Sequence, residues 1–272
     1  ASPDRTLTHG ALYLVSALVV VASVWLGCRF LDRRALPDLG LRIGARWVVD
    51  AGFGAALGGH LMLGIFACES RMGWASYAAV VQDRDDLPRL AAIPVAVVAF
   101  ASIALVEELI FRGYQLINLA EGIRGEWVSP AAALLGATLL SSLAFGLAHA
   151  FNPHAEAIAA GNIACAGGML AAGFLVTGEL AIPVGLHFGW NFFQNFFGMP
   201  VSGQTYFSYA SMVQRTETGP DWITGGAFGP EAGMTGLVAM MAGTCVILLY
   251  ARAFEGRIGI HRSLLESGPN RY

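Results

Sequence analysis

The chain has no lysine. All sixteen basic residues among its 272 are arginine. Charge of either sign is scarce: 13% of residues carry it, about half the share in soluble globular proteins. The net charge of −3 gives no electrostatic basis for a nucleic-acid partner. The four cysteines, Cys28, Cys68, Cys165 and Cys245, are widely separated and form no CxxC pair. That excludes the usual structural zinc and disulfide frameworks and leaves small apolar packing residues. No HExxH helix motif occurs, so the commonest zinc-hydrolase signature is missing too. Strand-like alternation of polar and apolar residues is also lacking.

What remains is long apolar runs. Hydrophobic residues make up 56% of the chain. Seven segments are apolar enough to cross a bilayer, which takes roughly 20 residues. They lie near 11–28, 47–68, 92–120, 129–150, 156–176, 180–198 and 233–252. A bilayer leaves no water for unpaired backbone groups, so these segments are expected to be helices. The predicted fold is an all-α polytopic transmembrane bundle of about seven spans, forming a single domain over 1–272. The segment at 11–28 is too long for a signal-peptide core and lacks an evident cleavage site, so it reads as a retained span.

Arginine distribution orients the bundle, because cytoplasmic loops are enriched in basic residues. Arg29, Arg33, Arg34, Arg42 and Arg46 follow the first span, and Arg252, Arg257, Arg262 and Arg271 follow the last. The connection after the second span is mixed: Arg71, Arg84 and Arg89 stand against Glu69, Asp83, Asp85 and Asp86. The pattern predicts an N-terminus outside and a cytoplasmic C-terminus. The absence of lysine, with 34 glycines and abundant alanine, reads as GC-rich coding bias, so the expected location is a bacterial inner (plasma) membrane. The glycine-rich stretches GFGAALGGH (52–60) and GNIACAGGMLAAG (161–173) read as close helix-packing faces. The connection at 199–232 is too long for a simple link and holds Tyr206, Phe207, Tyr209, Trp222 and Phe228. It either caps a cavity or lies on the membrane as an aromatic belt.

Three sets of polar residues interrupt the spans, where such groups are costly and functional by default. In EELIFR, Glu108 and Arg112 sit one turn apart and can pair. Glu107 points about 100° away around the helix and needs a partner from another span. In FGLAH, Phe145 and His149 share a face. In HFGWN, His187 and Asn191 share another, continued by Asn195. One carboxylate, two histidines and an asparagine can activate water and stabilise an oxyanion. At 1.5 Å per residue from the connection between the third and fourth spans, Glu107 lies about 20 Å along its helix and His149 about 30 Å.

The ordered series EExxxR, FxxxH and HxxxN, with LPDLGLR at 36–42 ahead of it, resembles the CAAX protease and bacteriocin-processing family. The likeness runs over roughly 36–198 with no departure at a motif position. It implies a metal-independent intramembrane glutamate endopeptidase without a cofactor, acting on a membrane-associated protein or peptide. By the same resemblance Glu107 activates water, His149 assists it, and His187 and Asn191 form the oxyanion hole. Glu108 and Arg112 are then a supporting pair, with Phe145 beside them. The alternative is a non-catalytic scaffold or accessory subunit of a membrane complex that reuses this fold. A zinc hydrolase built on the same Glu, His and Asn ranks below both.

Overall fold

The computed structural model describes residues 3–79, 89–205 and 207–266. Asp83, Arg84, Asp85, Asp86, Tyr206 and Arg271 lie outside the described residues. The chain is mostly helical. In order it forms α1 (Pro3–Leu26), α2 (Ala45–Arg71), a short strand β1 (Ala75–Ala79), α3 (Arg89–Glu108), a π-helical segment (Leu109–Gln115) and α4 (Leu116–Ile123). There follow α5 (Pro130–Ala148), α6 (Ala157–Thr177), α7 (Ala181–Phe196), strand β2 (Val213–Glu217), the single turn α8 (Asp221–Thr224), α9 (Met234–Phe254) and α10 (Arg262–Glu266).

Among the described residues, six helical stretches are long and apolar enough to cross a membrane. The chain is therefore an integral membrane protein. The seventh expected span, 180–198, is a helix of only 16 residues, buried in the middle of the bundle. Its tight burial explains how polar His187, Asn191, Gln194 and Asn195 can occupy one short helix. A second departure is the small antiparallel sheet in which Ala75 pairs with Glu217 and Ala79 with Val213. It fastens the long 199–232 connection to the end of α2. Glu69 secures the same joint: fully buried, it accepts hydrogen bonds from Arg215 Nη2 (3.0 Å) and the Tyr77 hydroxyl (3.0 Å).

Local sequence sets the helix limits. Ser129 caps α5 by accepting a bond from the Ala132 amide, and Pro130 occupies the first helical position, where no amide is required. Gly178, with φ of 70°, ends α6 in the left-handed conformation that glycine adopts without penalty.

The most extensive helix contact among the described residues is between α2 and α7. Gly54 and Gly58 face Gly185 and Gly189, so the two backbones meet. A Cβ on Gly58 would stand 2.5 Å from the Leu186 carbonyl oxygen. Gly58→Val should therefore force α7 outward, at a cost of about 1–3 kcal/mol. The expected result is a lower melting temperature for the detergent-solubilised protein.

Candidate active site

Three helices bring the polar residues together around one cavity of about 320 Å³. Glu107 reaches it from the end of α3, His149 from the C-cap of α5, and His187 and Asn191 from successive turns of α7. Glu107 Oε2 lies 3.9 Å from His149 Nε2 and 3.8 Å from His187 Nε2. It has no hydrogen-bond partner, although the atom is buried. A buried carboxylate oxygen without a donor is costly unless water supplies one. Each spacing leaves room for a water oxygen within bonding reach of Glu107 and the facing histidine.

The other nitrogen of each imidazole is held. His149 Nδ1 is 2.8 Å from the Phe145 carbonyl, and His187 Nδ1 is 2.9 Å from Glu108 Oε1. Both acceptors make Nδ1 the donor, so each ring turns Nε2 toward Glu107. Glu108 is fully buried, and its Oε1 also accepts from Arg112 Nη1 at 3.0 Å. Arg112 in turn donates from Nη2 to the Gly167 carbonyl at 3.2 Å and lies over the Phe145 ring, 4.2 Å from its centre. The Phe145 ring meets His149 edge-on at 4.7 Å. Glu108, Arg112 and Phe145 thus form a buried platform under both histidines.

The expected depth difference between Glu107 and His149 largely disappears. The third helix continues to Ile123 rather than ending near 120. Glu107 then lies about 24 Å from its end, and His149 about 29 Å beyond Pro130. The length of the two side chains covers the rest.

Several residues at the site carry no clear sequence signal. The π-helical turn begins directly after the paired glutamates, a feature common at functional sites. Its Phe111 carbonyl accepts both the Leu116 amide and the Ser141 hydroxyl (2.7 Å), which ties α5 to the site. The 199–232 connection forms the roof: Val201, Ser202, Gln204 and Phe207 line the cavity. Of the two readings of this connection, capping describes that part of it. The roof is pinned from two directions. Asn152, three residues after His149, donates to the Ser202 carbonyl at 3.0 Å. Buried Glu231 accepts from the Ser202 amide (3.1 Å), the Ser202 hydroxyl (3.2 Å) and Gln194 Nε2 (2.6 Å).

Burial pushes the Glu231 carboxyl up to about 7, despite those donors. The fold therefore binds this proton more tightly than the unfolded chain does. The stability it contributes is present below the ordinary value of 4.5 and is lost as pH rises through about 7. Melting temperature should fall over that window, and Glu231→Gln should flatten the profile there.

Residues 89–193 match the type II CAAX prenyl endopeptidase Rce1-like family, over the segment that carries all three motifs. The match supports the CAAX protease and bacteriocin-processing family, and with it a CAAX-type intramembrane endopeptidase. No curated protein and no solved structure matches the chain.

Proposed function

We propose that the protein is a glutamate-dependent, metal-independent endopeptidase that hydrolyses a peptide bond of a membrane-associated protein or peptide. The observation that carries this reading is the Glu107 Oε2, without a hydrogen-bond partner, between two Nε2 atoms whose rings are fixed from behind. Glu107 takes a proton from water, and the water oxygen bonds to the scissile carbonyl carbon. The oxyanion accepts hydrogen bonds from the Asn191 amide and from His187. Doubly protonated, His187 keeps its Nδ1–H on Glu108 and offers Nε2–H to the cavity. His149 orients the water. As the C–N bond breaks, the proton held by Glu107 passes to the leaving amine. The test compares wild type with Glu107→Gln on a membrane-tethered peptide reporter, with excess chelator present. Cleavage by wild type alone is expected. Equal cleavage by both, or loss on chelation, would overturn the reading.

A further inference from the structure

The helix connections divide cleanly between two ends of the bundle. At one end, Arg34 pairs with Glu121, Arg42 with Glu179 and Arg46 with Glu255, and Arg124 donates to the Leu265 carbonyl. These contacts gather the segments following α1, α4, α6 and α9. At the other end, the Trp74 carbonyl accepts from the Thr218 amide, and Asn152 holds Ser202. These gather the segments following α2, α5 and α7.

The cavity belongs to the second end. His149 caps α5 there, under the roof. The 19 residues of α5 extend about 29 Å, the thickness of a hydrocarbon core, roughly 30 Å. Trp127, 92% exposed, stands just before α5, and Phe151, 94% exposed, just after it. Aromatic residues at both ends of an apolar helix mark the two interfaces. The catalytic carboxylate therefore lies close to one membrane surface, away from the midplane.

Arginine distinguishes the two surfaces. Among the described residues, every arginine of 27–46, 124 and 252–262 lies at the first end. The cavity end carries Arg5, Arg71, Arg89 and Arg215, and Arg215 is consumed by Glu69 and Glu217. Basic residues in short connections fix the cytoplasmic side.

We infer that the cavity opens on the extracytoplasmic surface, and that its substrate is a peptide segment held at the outer leaflet. The orientation stands on its own; the cleavage rests on the proposed endopeptidase function. A segment exported through the membrane and still tethered to it fits this site.

The full chain, with its native cysteines changed to alanine, can be expressed in a bacterial inner membrane carrying Gln214→Cys or Gly259→Cys. Both positions are exposed, one at each end. In right-side-out vesicles a membrane-impermeant maleimide should label Gln214→Cys, and in inverted vesicles it should label Gly259→Cys. The opposite pattern overturns the orientation. Two reporters, with the cleavable segment outside or in the cytoplasm, then read the substrate side, with Glu107→Gln as the control. Cleavage of the outer reporter alone supports the inference, and cleavage of the cytoplasmic one overturns it. The expected labelling with neither reporter cleaved counts against the endopeptidase reading and leaves the orientation intact.

Discussion

Glu107→Gln is expected to reduce peptide cleavage by about 10²–10⁴-fold, the usual contribution of a general base, while the melting temperature stays within a few degrees of wild type. The amide keeps the size of the side chain but cannot take a proton from water. The buried Oε2 of Glu107 makes no hydrogen bond with protein groups, so replacement at that atom breaks none. Loss of cleavage with retained stability separates a chemical role from a structural one. A variant that melts early would point instead to a packing role for Glu107. A rate within threefold of wild type would remove it from the mechanism.

The second large effect is expected at Arg112. Removing one partner of a buried ion pair leaves an uncompensated charge, at a cost of about 3–5 kcal/mol. Arg112→Met leaves Glu108, fully buried, with only His187 to satisfy it. The variant should melt far below wild type. Glu108→Gln combined with Arg112→Met removes both charges and should recover much of that loss, because apolar or neutral replacements of buried pairs are often tolerated. The double variant should still cleave poorly, since His187 loses the carboxylate that fixes its Nδ1. Equal instability of the single and double variants would contradict this account. Melting curves in detergent and reporter cleavage read the two effects separately.

The sequence carried much of this arrangement because membrane-buried charge is so constrained. Glu108 and Arg112 could be paired from spacing alone, and the structure has that bond at 3.0 Å. Glu107 could be recognised as needing partners from outside its helix, and the nearest groups come from α5 and α7. His187 was harder. Spacing assigned it to the cavity, yet its second bond, to Glu108, depends on how α7 crosses α3. The roof was harder still. Ser202, Gln194 and Glu231 are separated in the chain and meet only because the 199–232 connection folds back over the bundle. Its strand pairing with β1 follows no alternation that a five-residue stretch could display. The shortness of α7 was hidden as well, because apolar residues continue past the point where its helix ends.

The π-helical turn at 109–115 has a consequence for how one polypeptide segment serves two neighbourhoods. Before it, α3 packs Ala96, Ala99 and Phe100 beside Val201 and Phe207 of the roof. After it, Leu116, Ile117 and Ala120 of α4 pack with Leu134, Ala137 and Phe174, in a separate core. In an uninterrupted α-helix each residue advances about 100°, so the faces on either side would keep a fixed relation. The wider turn changes that relation, like a gear with one extra tooth. It lets Glu107 aim into the cavity while the rest of the helix meets its own neighbours in their natural orientation.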